Sequence, residues 1–576
     1  MVIGVDSLRV DKESFSGLDS ALMSLVSSEQ RSPSLLDASC EVFVHDLAAL
    51  APTDATAWGI PGFEGELQDF SPEHWESVAE RAREMVADID AFDDCTDDND
   101  DEDDFDEVDH VTAAVLRDRL SLIADKHHRG EYLRLLNNIE SPVQTIRDTF
   151  LLMPQDTAEE KDAIRSRLSK VANSLEGYRE SLSESAAHGK VAAHRQIDEV
   201  ISQCTDLADS GSLLENLGLS ADSAEVVAAK EAFGLMADWL GEQLSPHSAS
   251  EDAVGRERYE LFSREFIGDT VDLDEAYTWG LEQLREITSR QQRIANQLYG
   301  EGTPVKQAFR NLNNEERYNI EGTAALQQWM QKTADRVIAE LDGTHFDIPE
   351  AVKTIEACID PAGTGGIFYT PPSDDFSRPG RMWWSVPEGQ HIFHTWQELT
   401  TVFHESVPGH HLQLGQTLAE SEKLNLWRRV ACWNSGHGEG WALYAESLME
   451  ELGYHEDPGT RMGLLDAQRL RAARVVLDIG VHLGKKTPEG SGIWDASYAK
   501  TFLRENTAMD EAVLAFELNR YLGWPGQAPS YALGQRLWMQ LREDALTQGM
   551  DLRQFHSAAL NYGSIPMSIL REELLD

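Results

Sequence analysis

The feature that most constrains the fold of this chain is a proline-glycine pair placed between two histidines. Residues 404–413 read His-Glu-Ser-Val-Pro-Gly-His-His-Leu-Gln. In an uninterrupted helix His404 and His410 would be rotated by roughly 600° about the axis, so they would not face one point. Pro408 lacks a backbone donor and Gly409 tolerates unusual dihedral angles, so a bulge or kink is expected there. Such a break brings the two imidazoles into the register of a His-x-x-x-His pair.

His411 is a second candidate partner for His404. The two residues are seven positions apart, and they share one face of a straight helix without any break. The sequence leaves open whether His410 or His411 pairs with His404.

The residues around this run supply the donor groups of a catalytic zinc site. Besides the two imidazoles, the sequence supplies the carboxylate of Glu405, next to His404, and the carboxylate of Glu439, which lies further along the chain within Gly438–Ala442. A zinc ion with three protein ligands keeps a position for water, and an adjacent carboxylate can take the proton of that water. Structural zinc sites, by contrast, are closed and rich in cysteine. The pattern therefore predicts a catalytic metal centre.

The strings HESVPGHHLQ and GEGWALYAE resemble the hallmark of a large, mostly bacterial family called domain of unknown function 885. That family is similar to gluzincin peptidases of the thimet oligopeptidase and angiotensin-converting enzyme types, which are long, largely helical and hold zinc with two His and one Glu. The resemblance is clearest from about Gly365 to Tyr531. It implies a mainly α, multi-helical zincin-like fold with a deep cleft.

The resemblance also implies a role for each residue of the two strings. It implies His404 and His410 as ligands of one zinc ion per chain, Glu439 as the third ligand and Glu405 as the general base. Glu446 follows Glu439 by seven residues on the same helix face. Because a metal-bound histidine usually donates its second N–H to a carboxylate or carbonyl, Glu446 is expected to support a ligand.

A third block, Asn519–Tyr531, is expected to contact the substrate. Gluzincin relatives carry a tyrosine downstream of the ligands that donates a hydrogen bond to the oxyanion, and the resemblance implies Tyr531 for this role, with Tyr521 as the alternative. Arg520 is expected to hold a substrate carboxylate, and His437 either lines the cleft or ends a loop. The structural alternative is that both phenols pack in the core.

Local patterns predict the elements that carry these motifs. The segments Gly366–Pro372 and Gly380–Pro387 are predicted to form a small antiparallel β element beside the metal site, where an edge strand would pair with an extended peptide. Apolar spacing from Thr395 predicts a helix that contains the first motif histidine. One helix is predicted to end at Gly523 and another to begin near Pro529.

The chain of 576 residues is long enough for several domains. The prediction is an N-terminal helical half, residues 1–270, and a catalytic half, residues 271–576, which fold separately or as one two-lobed unit. Residues 93–107 are rich in Asp and Glu and are predicted to form a disordered, solvated loop. This segment lacks the glycine and the ligand spacing of a calcium-binding loop.

Composition limits the partners and predicts the compartment. The net charge of −52 argues against nucleic acid and anionic membranes as partners, and no stretch reaches the roughly twenty apolar residues of a membrane helix. The first residues lack the pattern of a secretion signal. The cysteines are odd in number and scattered, which predicts reduced thiols and a cytoplasmic protein: Cys40, Cys95, Cys204, Cys358 and Cys432.

The predicted function is zinc-dependent hydrolysis of short peptides or related amides by metal-activated water. One alternative is non-haem Fe(II) chemistry, because two His and one carboxylate also hold that ion. Such enzymes usually use a β-barrel scaffold, and Glu405 would have no task in them. The other alternative is a non-catalytic protein that binds peptides in the cleft. The presence of Glu405 favours the hydrolase.

Overall fold

The protein is mainly helical, as its sequence predicts. The computed structural model describes residues 31–95, 105–360, 366–387, 389–509 and 511–575. Most of the predicted acidic loop at 93–107 lies outside these residues. Within them, no helix is both long enough and apolar enough to cross a membrane.

The helices of the first half are amphipathic segments of 7 to 27 residues. They are α1 (Leu35–Leu50), α2 (Pro52–Trp58), α3 (Pro72–Cys95), α4 (Glu107–His128), α5 (Pro142–Leu152), α6 (Ala158–Leu168), α7 (Val171–Ala187), α8 (His194–Ala208), α9 (Ala224–Trp239), α10 (Arg256–Ile267) and α11 (Leu273–Tyr299).

The helices of the second half carry all three motif blocks. They are α12 (Val305–Asn313), α13 (Thr323–Leu341), α14 (Thr395–Glu405), α15 (His410–Ala419), α16 (Ser435–Glu451), α17 (Pro458–His482), α18 (Ala496–Asn506), α19 (Glu511–Gly523), α20 (Ser530–Thr547), α21 (Leu552–Asn561) and α22 (Met567–Leu575). The predicted helix from Thr395, the end at Gly523 and the start near Pro529 are confirmed.

Two small sheets lie before α14 in the chain. Their strands are β1 (Asn319–Glu321), β2 (Ile355–Asp360), β3 (Phe368–Thr370), β4 (Gly380–Ser385) and β5 (Ile392–His394). β1 and β5 form an antiparallel pair, and the other sheet has the order β2-β4-β3. The predicted antiparallel pairing is confirmed for β3 and β4, but β2 adds a parallel partner on the other side of β4. The sheet is therefore mixed, because a strand distant in sequence joins the predicted hairpin.

Three clusters of buried apolar side chains hold the described residues together. The first joins α1, α3 and α4 to α13, α16 and α20–α22. The second lies among α10–α12 and α17–α20, and the third among α5–α9. Helix α14 contributes Phe403 to the first cluster and Trp396 to the second, so the motif helix lies where these two clusters meet. The division into residues 1–270 and 271–576 stays a prediction.

Candidate metal centre

The two motif histidines lie in consecutive helices separated by a tight connection. Helix α14 ends at Glu405, and α15 begins at His410. The amide of Gly409 donates a hydrogen bond of 3.1 Å to the carbonyl of Phe403, so the connection folds back on the end of α14. A Cβ atom on Gly409 would lie 1.9 Å from the carbonyl oxygen of His404, and only glycine fits there. The expected break is a complete interruption of the helix.

The break brings both histidines to one carboxylate. The Nε2 atom of His404 lies 3.4 Å from Glu439 Oε2, and the Nε2 atom of His410 lies 3.5 Å from the same oxygen. The two imidazole rings are nearly perpendicular, with centroids 4.8 Å apart. One ligand atom from each of the three residues lies within 4.8 Å of the others. The three side chains are therefore able to hold a metal ion.

Helix α16 delivers Glu439 and also holds the connection between the histidines. Its first turn is capped by the side chain of Asn434, which accepts a hydrogen bond of 2.9 Å from the amide of His437. The indole of Trp441 donates a hydrogen bond of 2.8 Å to the carbonyl of Pro408. The third candidate ligand therefore comes from a helix that is bonded to the connection between the other two.

A carboxylate fixes the tautomer of His404. Its Nδ1 atom lies 2.9 Å from Glu446 Oε1, and the hydroxyl of Thr400 donates to the other oxygen of Glu446. Because an ionised carboxylate only accepts, Nδ1 carries a proton toward Glu446, and Nε2 is the nitrogen that faces Glu439. This is the position in which the sequence predicts Glu446.

The ionisable groups of the cluster shift one another's pKa values. Burial alone would lower the pKa of His404, but its contacts with Glu439 and Glu446 raise it to about 10. Burial alone would raise the pKa of Glu439, but His404 and His410 hold it well below its usual range. The buried Oε2 atom of Glu439 has no hydrogen bond. Two imidazole nitrogens and one carboxylate oxygen are a usual donor set for catalytic zinc, so these residues fit that ion.

Glu405 lies beside this cluster as the last residue of α14. Its side chain is buried, and burial raises the pKa of its carboxyl while the charges of His404 and His410 oppose that rise. It therefore lies within electrostatic reach of both histidines.

His411 points away from the cluster. Its Nε2 atom lies 2.7 Å from the carbonyl oxygen of Val352, which only accepts, so Nε2 carries the proton. Its Nδ1 atom then accepts a hydrogen bond of 2.8 Å from the hydroxyl of Tyr369 in β3. Burial lowers the pKa of His411 to about 4, which keeps the ring neutral. The structure thus places His410, and not His411, next to His404. The hydrogen bond between His411 and Tyr369 connects α15 to the sheet.

Glycines let the helix of Glu439 approach the helix of Tyr531 closely. A Cβ atom on Gly534 in α20 would lie 2.2 Å from the carbonyl oxygen of Gly436 in α16. A Cβ atom on Gly440 would lie 2.5 Å from the carbonyl carbon of Gly534. The short distance between these helices places the start of α20 next to the candidate ligands.

Tyr531 lies near Glu439 and between two arginines. Burial raises the pKa of its phenol, and the charge of Glu439 adds to the rise. The guanidinium carbon of Arg474 lies 4.9 Å from the centre of its ring. Arg520 donates a hydrogen bond of 3.3 Å to the Tyr531 hydroxyl and one of 2.6 Å to Gln527. Arg520 thus contacts protein groups, and its predicted role in holding a substrate carboxylate gains no support.

Tyr521 and His437 lie in the core. The hydroxyl of Tyr521 donates to Glu517 and accepts a hydrogen bond of 2.7 Å from Arg474, and the side chain is fully buried. His437 is also fully buried, and its Nδ1 atom lies 3.1 Å from the carbonyl oxygen of Ile565. The expectation that His437 lines a cleft is therefore corrected, because its ring is enclosed by the core.

Sequence reasoning missed two residues that orient this centre. Thr400 contacts Glu446, and its position four residues before His404 on the same helix face is a signal for such support. Tyr369 contacts His411, but it comes from a strand far away in sequence. No pattern in the sequence indicates that second contact.

Two solved structures are similar to this chain over nearly its whole length. The putative lipoprotein from Colwellia psychrerythraea has a TM-score of 0.78 and 22% identity, and the alignment covers 94% of this chain and 98% of that one. A putative lipoprotein of unknown function from Shewanella oneidensis has a TM-score of 0.70 and 17% identity, with 93% and 99% covered. At these identities the likeness shows the fold alone.

The same two structures overturn the predicted cytoplasmic location. Both are described as putative lipoproteins, and the cytoplasmic prediction is therefore wrong. The prediction rested on first residues that lack the pattern of a secretion signal and on an odd number of scattered cysteines. Unpaired thiols do not specify a compartment.

The family comparison covers both halves of the chain. No curated protein gives a significant match. The model of the family described as bacterial protein of unknown function (DUF885) matches residues 52–574. This match reaches from α2 to α22 and extends far beyond the motif strings that carry the resemblance. The chain therefore belongs to the DUF885 family.

Proposed function

We propose that this protein is a zinc-dependent hydrolase that cleaves short peptides or related amides. The observation that carries the proposal is the convergence of His404, His410 and Glu439 on one point. The motif strings resemble the DUF885 hallmark, and the similarity of that family to gluzincin peptidases supports the same function, with a zincin-like fold around the cleft. One zinc ion per chain is part of the proposal.

The chain would hold zinc through the Nε2 atoms of His404 and His410 and through one oxygen of Glu439. A zinc ion with three protein ligands supplies a bound water whose pKa is lowered toward neutrality. Glu446 would hold the proton of His404 on Nδ1, so that the ion displaces the proton of Nε2.

Glu405 would act as the general base and then as the general acid. Its carboxylate takes a proton from the attacking water and later delivers that proton to the leaving amine. Its burial, with 5% of the residue exposed, limits competition from bulk water for this proton.

Tyr531 would stabilise the negative charge that develops on the scissile carbonyl oxygen. Its phenol stays protonated because burial and Glu439 raise its pKa, so it is able to donate a hydrogen bond. A preorganised donor of this kind is worth about 10²- to 10³-fold in rate.

The edge strand β3 would bind an extended peptide. In the order β2-β4-β3 this strand has a neighbour on one side within the sheet, and its Tyr369 contacts His411 beside the candidate ligands. Strand addition gives affinity through main-chain hydrogen bonds and tolerates varied side chains.

The test combines metal content with turnover. Wild type is expected to contain about one zinc per chain by plasma mass spectrometry, and His404→Ala is expected to lose it. His188→Ala, which changes an exposed histidine after α7, is the matched control. Iron in place of zinc would contradict the proposal in favour of oxygen chemistry.

Glu405→Gln separates catalysis from metal binding. The variant is expected to keep its zinc and to lose turnover of peptide libraries by about 10²-fold or more, because the proton acceptor is removed. Unchanged turnover in this variant would exclude Glu405 as the general base. Peptide binding without cleavage by zinc-loaded wild type would identify a binding protein instead.

A further inference from the structure

A cavity of about 770 Å³ lies between α11, α16, α17 and α20. Its wall includes the apolar side chains of Trp279 and Met539. Four arginines and three glutamates also line it, although the whole chain has a net charge of −52. An arginine in this wall without a carboxylate partner would favour an anionic group.

Three of the four arginines are paired with carboxylates of the protein. Arg290 lies 2.8 Å from Glu450, Arg536 lies 2.7 Å from Glu275 and Arg542 lies 2.8 Å from Glu451. Each of these three charges is thus compensated by a carboxylate of the protein.

Arg471 is the exception. No carboxylate of the described residues lies within the ion-pair distance of 4.0 Å from its guanidinium. Its Nη1 atom donates a hydrogen bond of 3.3 Å to the carbonyl of Ala467, and its buried Nε atom has no acceptor. A buried donor on a charged group is costly without an acceptor, so a ligand that supplies one would bind favourably.

The cavity adjoins the candidate metal centre. Its wall includes Ser447, which follows Glu446, and Ala532, which follows Tyr531. Burial acts to raise the pKa of both Glu405 and Glu446, and the positive charge of Arg471 opposes burial at both carboxyls, so its guanidinium lies within electrostatic reach of the proposed general base. A molecule that occupies the cavity and contacts Arg471 therefore extends toward the reacting groups.

We infer that Arg471 binds a carboxylate of the substrate in this cavity. The inference rests on the proposed function and makes the substrate class narrower: peptides that carry a carboxylate close to the scissile bond. Arginine suits this task because its planar fork of donors matches a carboxylate. The carboxylate is either the C-terminal group of the peptide or an acidic side chain, and the two sources are separated by the choice of peptide.

The test measures binding of three blocked peptides by calorimetry. The probes are N-acetyl-trialanine with a free carboxylate, the same peptide as its amide, and N-acetyl-Ala-Asp-Ala amide. In Arg471→Gln the Kd is expected to rise by about 10- to 100-fold for trialanine with a free carboxylate, for the Asp peptide or for both. The Kd of the trialanine amide is expected to change little. An effect on the free terminus alone, or on the Asp peptide alone, identifies the source.

Two further variants make the result specific. Arg536→Gln removes the same charge from the same cavity, but its guanidinium is held by Glu275, so the ratio of carboxylate to amide binding is expected to stay as in wild type. Arg471→Lys keeps the charge and is expected to keep part of the preference. If Arg471→Gln fails to fold, wild type alone decides. The inference is overturned if wild type binds the carboxylate peptides less than about tenfold more tightly than the trialanine amide.

Failure of this inference and failure of the proposed function are distinguishable. Equal carboxylate binding by wild type and Arg471→Gln overturns the inference, even if zinc-loaded wild type cleaves peptides. Arg471-dependent carboxylate binding without any cleavage supports the inference and overturns the hydrolase.

Discussion

Of the two candidate ligand histidines, His404 is the one whose two ring nitrogens both face carboxylates. One ring nitrogen faces Glu439 and the other faces Glu446, whose second oxygen is held by Thr400. A side chain held in this way keeps the plane of its ring. If His404 binds zinc as proposed, Glu446 would contribute to metal affinity without touching the ion.

Glu446→Gln tests this support. The amide has the same shape but no charge, so zinc affinity is expected to fall by about 10- to 100-fold, measured by competition with a chelator. Glu451→Gln, on the same helix and paired with Arg542, is the control and is expected to bind zinc like wild type. Equal affinities in both variants would remove Glu446 from the metal centre.

A second residue-scale prediction concerns Glu398 in α14. Burial raises the pKa of its carboxyl to about 7, although the indole of Trp384 donates to it at 3.1 Å. The native state then binds more protons here than the unfolded state, so this group lowers the stability as pH rises from its unfolded pKa of about 4.3 through 7.

Glu398→Gln removes this titration. Relative to wild type, the variant is expected to gain up to about 3 kcal/mol of unfolding free energy between about pH 5 and pH 8. Thermal melts of both proteins at the two pH values measure the difference. A gain at the lower pH instead would mean that the carboxylate is stabilised in its charged form.

At the scale of helices, the contact between α16 and α20 depends on the absence of side chains. The glycines of this contact allow the two backbones to meet, and the contact brings Glu439 and Tyr531 together. A methyl group there would force the helices apart, because neighbouring backbone atoms have no room to move.

Gly534→Ala is expected to lower the stability by about 1–3 kcal/mol and to weaken zinc binding, because the added Cβ would lie 2.2 Å from the Gly436 oxygen. Gly234→Ala in α9 is the control, since its Cβ would meet Ala208 at an ordinary 3.6 Å. Denaturant unfolding and zinc content measure both effects. Equal stability of the two variants would show that the helices are not packed this closely.

The helices and breaks of the second half were largely predictable, whereas most cross-chain contacts were not. The proline-glycine pair predicts the break between His404 and His410, because it depends on local backbone chemistry. The choice of His410 over His411 depends on Val352 and Tyr369, which come from distant segments. Strand β2 was missed for the same reason, since its partner in the sheet is not its neighbour in sequence.

At the scale of the whole molecule, the net charge of −52 dominates. Such a charge favours solubility and opposes compaction, because like charges repel across the surface. The described ion pairs include many that are partly exposed, and such pairs contribute little each. We therefore expect repulsion between like charges to outweigh these ion pairs in the effect of salt on stability.

The melting temperature is expected to rise as salt increases from about 0.01 M to about 1 M, because the Debye length falls from about 30 Å to about 3 Å. A series of thermal melts in sodium chloride measures it, with sucrose at equal osmolality as the control for nonspecific exclusion effects. A melting temperature that falls with salt would mean that attractive pairs dominate the surface.

The hydrogen bond from Trp441 to the Pro408 carbonyl has a further consequence. It links the connection between the two histidines to the helix that carries the carboxylate, so we expect the three donors to keep their spacing. If the site binds zinc as proposed, capture of the ion would demand little ordering of the chain. A spacing held in this way would also discriminate by ionic radius, and a larger cation such as cadmium would have to push the helices apart.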